Sequence, residues 1–141
     1  MKKNLTMTVV LVCLVFASTL FVSAMTSTVL RVNVPFAFQV GKKSLPAGEY
    51  LVEINRASSG SALGTAVIVR TWDGKTRELV SARPSNEKNG RASLTFNKYS
   101  NTYFLASVDS YGLGCELSKS KAEKEMATQS HASEPVSVAA E

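Results

Sequence analysis

Ala92-Ser93-Leu94-Thr95-Phe96-Asn97 and Phe104-Leu105-Ala106-Ser107-Val108-Asp109 are the two stretches whose reading decides the fold. In the first, Ala92, Leu94 and Phe96 alternate with polar neighbours; in the second, Phe104, Ala106 and Val108 form the corresponding set. A period of two is the mark of a strand with one buried face. Asn101 between them marks a tight turn, so the pair reads as a β-hairpin.

Working outward, the same period recurs. Phe36, Phe38 and Val40 alternate with Ala37 and Gln39, and Tyr50, Val52 and Ile54 with Leu51, Glu53 and Asn55. Thr65 to Trp72 is a denser β-branched run, as expected of a strand covered on both sides. Thr76 to Ala82 and Thr28 to Val34 complete the set. Leu45-Pro46-Ala47-Gly48 has the chemistry of a turn, with Pro supplying its fixed φ. Asp73-Gly74 predicts a two-residue hairpin loop with positive φ at both positions. Pro84 to Gly90 reads as a polar loop. Pro35 cannot donate to a ladder and belongs at an edge or bulge. About seven short strands separated by turn signals predict a mainly β fold, an antiparallel sandwich or a small barrel. One short C-terminal helix is predicted over 119–127, with Ser120 and Glu123 as a capping box and Ala122 and Met126 on the docking face.

The two ends read differently. Met1-Lys2-Lys3-Asn4, the apolar run Leu5 to Val22 and the small residues through Ala24 have the three parts of a secretory signal. Cleavage is expected after Ala24, leaving no membrane span. Cys13 lies inside the apolar run, which does not fit a lipoprotein site. Residues 25–127 then form the β domain. Residues 128–141, rich in Ser, Ala, Glu and Gln, read as a disordered tail. The chain carries 16 basic and 11 acidic side chains; without Lys2 and Lys3 it carries 14 and 11, a net charge of +3. These charges are scattered, and no basic stripe of the kind that nucleic acid requires is visible. The address implied is periplasmic or secreted.

Val32-Asn33-Val34-Pro35-Phe36-Ala37-Phe38-Gln39-Val40-Gly41 with Leu45-Pro46-Ala47-Gly48-Glu49-Tyr50 resembles the front half of a family of small exported proteins common in acidobacterial genomes. Tyr103-Phe104-Leu105 and the stretch Glu116 to Glu125 resemble its back half. The resemblance implies an exported β-rich fold and no particular activity. Cys115 stands where it implies a basic residue. Leu45 to Tyr50 is also similar to a turn and strand of prealbumin-like and collagen-adhesin B-type sandwich modules.

Catalytic chemistry has little to work with. His131 is the only histidine and lies in the expected tail. Gly60-Ser61-Ala62-Leu63-Gly64 has its serine in the wrong place for a nucleophile elbow. Glu49 and Glu53 share a strand face at a separation of about 13 Å, too far to act on one glycosidic bond. They read as solubilising residues. No metal-ligand spacing or phosphate-cradling loop is present, so neither metal nor cofactor is expected.

Two features invite a functional reading. Cys115 is the single cysteine after cleavage: a small buried hydrophobe, or a free thiol or intermolecular disulfide on a Gly112–Gly114 loop. The hairpin around Asp73-Gly74 pairs Trp72 with Lys75 and Arg70 with Arg77. Trp72 can take a guanidinium on its ring, or the four can hold an anion or sugar. The expectation is a non-catalytic module that binds a cell-surface polymer, an exported protein or a small ligand. The alternative is a structural subunit that pairs strand edges, donating 128–141 or Thr28–Val34. An enzyme using Cys115 or carboxylates is the third reading.

Overall fold

Alternating burial from Leu30 through Val32 to Val34 makes the first strand, and the same device builds most of the rest. The computed structural model describes residues 26–56, 64–86, 90–130 and 132–141. The expected signal 1–24 with its cleavage site at Ala24, residues 60–63 and His131 lie outside these. The strands are β1 (Thr26–Val34), β2 (Phe38–Val40), β3 (Lys43–Leu45), β4 (Gly48–Arg56) and β5 (Thr65–Thr71). They continue with β6 (Arg77–Ser85), β7 (Ser93–Tyr99), β8 (Thr102–Ser110) and β9 (Leu113–Leu117). Helix α1 (Lys121–Gln129) and β10 (Glu134–Ala139) follow.

Among the described residues the fold is mainly β with one helix, as the sequence predicts. All ten strands join one sheet in the order β1-β4-β5-β6-β9-β8-β2-β3, with β7 on the other side of β8 and β10 beyond β7. The expected count of about seven misses β3, β9 and β10. β3 is three residues long, β9 contains Gly114, and β10 lies in a Ser- and Ala-rich segment. The sheet is mixed rather than antiparallel. β9 pairs only with Ser107–Ser110 of β8, and β2 runs parallel beside Tyr103 and Phe104 in the space left over. It is also open rather than a closed barrel. β1 and β10 meet at a Val32–Ala140 bridge and at Arg31, which exchanges backbone hydrogen bonds of 2.7 and 2.8 Å with Glu141.

One face of the sheet curls around a single core. Leu30, Val32, Tyr50, Val52, Val67, Val69, Leu94, Phe96, Leu105 and Val108 all belong to it. At its centre Phe38 meets Tyr50 and Phe96 edge-on, with ring centroids 5.2 and 5.3 Å apart. Phe36 lies just before β2 and stacks on Tyr103 at 3.9 Å. Tyr50 also donates to the Pro46 carbonyl at 2.6 Å, which ties the β3–β4 turn to the core.

The second half of the deciding hairpin departs from simple alternation. The register between β7 and β8 shifts at Thr95/Phe96, where Thr95 faces Ser107 and Phe96 faces Leu105. This bulge at Ala106 turns Leu105 into the core together with Val108, in place of Phe104 and Ala106. Phe104 instead packs beside Tyr99, centroids 5.8 Å apart. Helix α1 is tied to this region by Asn97, which donates to Glu123 at 2.8 Å, and by Lys119, which reaches the Tyr99 hydroxyl at 3.5 Å. Ser120 caps the helix by accepting from the Glu123 N–H. Glu123 is the buried helix residue, Met126 and Ala127 are half-buried, and Ala122 is exposed. The docking face is therefore rotated from the expected Ala122–Met126 pair.

The expected disordered tail, 128–141, carries the end of the helix and a strand among its described residues. The helix runs to Gln129, and β10 pairs antiparallel with β7 from Glu134↔Lys98 to Ala139↔Ser93. A segment too polar to fold alone gains its order from an existing edge that offers unpaired backbone groups.

Candidate functional site

The outward face of β1, β4, β5 and β6 brings together more chemistry than any one of these strands carries. Cross-strand register sets Arg31 opposite Leu51, Leu51 opposite Arg70, and Arg70 opposite Arg77. Each alternates with a core residue on its own strand or, for Arg77, stands opposite one that does. The next row inward along the strands is Val29, Glu53, Ile68 and Leu79. Ile68 is buried although it is outside the main core cluster.

Trp72 stands at the upper end of this face and is 62 % exposed. Its loop is longer than the expected two residues. Thr71 N–H bonds the Thr76 carbonyl at 3.0 Å, and Gly74 N–H bonds the Thr71 carbonyl at 2.9 Å. Gly74 takes a φ of +71°, but Asp73 does not enter the left-handed region. The Asp73 side chain explains why: it accepts from Thr71 Oγ1 at 2.6 Å and from the Lys75 N–H at 3.2 Å. These bonds, the Thr71 one foremost, hold its carboxyl below the usual range. Lys75 folds back to the same carboxylate at 3.4 Å.

The guanidinium over the indole comes from Arg31, centred 4.7 Å from the ring, and not from Arg70 or Arg77. Arg31 is held from the other side by Glu49 at 3.1 Å. Glu49 is thus more than a solubilising residue: it orients the cation on the ring. Arg70 and Arg77 face each other as the sequence predicts. Arg70 is half-buried, and its Nε is buried with no hydrogen-bond partner among the described residues. Sequence reasoning missed Arg31 because it lies on a strand distant in the chain, and its place beside Trp72 follows only from the β1–β4–β5 pairing.

Cys115 has the opposite surroundings. It lies in β9, not on a loop, and is 1 % exposed, with Sγ 3.5 Å from the Val108 carbonyl. Burial pushes its pKa up to about 11, and the nearby Asp109 adds to the rise. The thiol therefore stays protonated at neutral pH and lies buried beneath the surface. Gly114 before it allows the close approach of β6: a Cβ there would lie 2.8 Å from the Ser85 carbonyl oxygen. The residue that sequence reasoning expected to expose the sulfur in fact lets two backbones close over it.

A cavity of about 550 Å³ lies between the β2–β3 turn and the start of α1, lined by Gln39, Lys42, Ser118 and Lys121 among others. Its one carboxylate, Glu125, pairs with Lys121 on the same helix at 3.9 Å. Among the described residues, no group of three or more His, Cys, Asp or Glu is placed to hold a metal, and no helix is long and apolar enough to cross a membrane. The site and fold define a mainly β protein with a mixed cationic and aromatic sheet face. Comparison of the chain with protein-family models, curated proteins and solved structures finds no match.

Proposed function

We propose that the chain is an exported, non-catalytic β module that binds an anionic cell-surface polymer through the outward face of β1, β4, β5 and β6. The observation that carries this reading is the exposed Trp72 indole with Arg31 stacked on it, beside the cross-strand Arg70–Arg77 pair. An indole offers a flat apolar platform for a sugar ring, and guanidinium groups pair with carboxylate or sulfate in a fork geometry. Like charges opposite each other on a sheet are mutually destabilising, and an anion bridging Arg70 and Arg77 relieves that repulsion. Export rests on the signal-like residues 1–24 with cleavage after Ala24, and on the resemblance to small exported acidobacterial proteins. The curled sheet, packed on itself around one core, suits a sandwich-like module of that kind. A periplasmic or secreted address puts such a face within reach of envelope polymers.

The test titrates protein recovered from the exported fraction with polygalacturonate and with neutral dextran, following the heat of binding by calorimetry. Binding of the acidic polymer that weakens with salt is expected, with at least about tenfold loss in Trp72→Ala and in the Arg70→Ala/Arg77→Ala double variant. Equal binding of both polymers, or acidic-polymer binding untouched by these variants, overturns the reading.

A further inference from the structure

The sheet ends its strands in unlike ways. β3 is three residues long, and its Lys43 is turned back onto Glu78 at 3.4 Å and the Arg77 carbonyl at 3.1 Å. β10 carries Pro135, which has no N–H to offer, and an ion pair from Glu134 to Lys98. Short length, lysine, proline and charge are the devices by which proteins blunt a free edge. β1 has none of these over Thr26–Leu30.

The direction of its backbone groups follows from its neighbours. Arg31 points both its N–H and its C=O at Glu141, away from β4. The register of β1 on β4 is unbroken from Thr26↔Arg56 to Val34↔Gly48. Groups on a strand alternate sides, so Val29 and Ser27 present N–H and C=O on the same open side as Arg31. No described strand pairs with them, and Val29 is 48 % exposed.

We propose that Thr26–Leu30 is an association edge whose occupant is the same segment of a second copy of this chain, running antiparallel about a two-fold axis at Thr28. In that register Ser27 of each copy faces Val29 of the other, and the pair forms about four backbone hydrogen bonds. A Val29–Val29 register would set Ser27 against Arg31, whose backbone is already bonded to Glu141. Self-pairing of a strand brings each charge against its own kind, and Thr26–Leu30 contains no charged residue to repel its copy. Both open edges are satisfied in one step, and the closed two-fold contact limits the assembly to a dimer. The contact is smaller than the roughly 800 Å² per partner of a standard interface, so the dimer dissociates on dilution. This inference goes beyond the polymer-binding reading and does not depend on it.

Sedimentation from about 10 µM to about 1 mM, with amide exchange followed residue by residue, tests it. The average mass should rise towards twice that of one chain. The Ser27 and Val29 amides should gain protection in step, while Leu30 and Val32, which face β4, are protected throughout. Val29→Lys should weaken association at least about tenfold with an unchanged thermal midpoint at low concentration. Ser27→Pro, which removes an outward donor without touching the β4 ladder, should act in the same direction. A monomer at every concentration overturns the proposal. So does a dimer that survives both substitutions or shows its new protection elsewhere.

Discussion

β7 and β10 lie side by side along six paired residues, yet different forces hold them. β7 buries Leu94, Phe96 and Tyr99 completely or nearly so and is flanked on its other side by β8. β10 has no fully buried residue; Val136 and Val138 are half-buried and the positions between them are exposed. Its attachments are backbone hydrogen bonds, the partial packing of Val138 against the core, a Thr95–Ser137 hydroxyl contact at 3.2 Å and the Lys98–Glu134 ion pair at 3.6 Å. One strand creates the core, and the other is ordered by an edge that the core has already made. Hydrophobic burial can order a strand against its own chain entropy, whereas net hydrogen bonding contributes about 0.5–1.5 kcal/mol per bond and needs a preformed partner.

That contrast can be broken at three points. Phe96→Ala should have the largest effect, a loss of about 3–5 kcal/mol in chemical denaturation, because the ring sits between Phe36 and Phe38 in the core. A loss below about 1 kcal/mol would mean that β7 does not create the core. Ending the chain after Ser130 should cost less, roughly 2–3 kcal/mol, from two half-buried valines and the β7 ladder. The truncated protein should stay folded, with β7 amides exchanging faster. An unchanged midpoint would mean that β10 decorates the sheet without stabilising it; complete unfolding would make it a core strand. Glu134→Gln should change stability by less than about 0.5 kcal/mol, since the Glu134 end of its ion pair with half-buried Lys98 is largely exposed. A larger loss would show that charge, rather than the backbone ladder, holds β10 in register.

The same distinction explains what could be read from the residues. Strands with one apolar face, such as Tyr50-Val52-Ile54 and Ala92-Leu94-Phe96, are legible because burial leaves a mark at every second position. The Ser120 cap was legible because its bond to the Glu123 N–H is local. The bulge at Ala106 was not, since Phe104 and Leu105 are both apolar and either can turn inward. β10 was hidden for the reason that makes it dependent: its residues record only the partial burial of Val136 and Val138, and its neighbour supplies the main reason to be a strand. In the candidate site, Arg70 opposite Arg77 and the exposed Trp72 followed from one hairpin. Arg31 and Glu49 came from two other strands, and the loop adopted four residues because Asp73 caps Thr71 and Lys75.

By itself the sequence determined the mainly β character, most strand positions, the place of the helix and the single thiol of the region after Ala24, all of which rest on local pattern or count. Tertiary structure decided the closing of Gly114 and Ser85 over that thiol, the parallel seat of β2, the ordering of residues 134–139 and the meeting of Arg31 with Trp72. These depend on which strand lies beside which. Backbone hydrogen bonding is the same for every sequence, so strand neighbours are settled only when the apolar faces have been packed together.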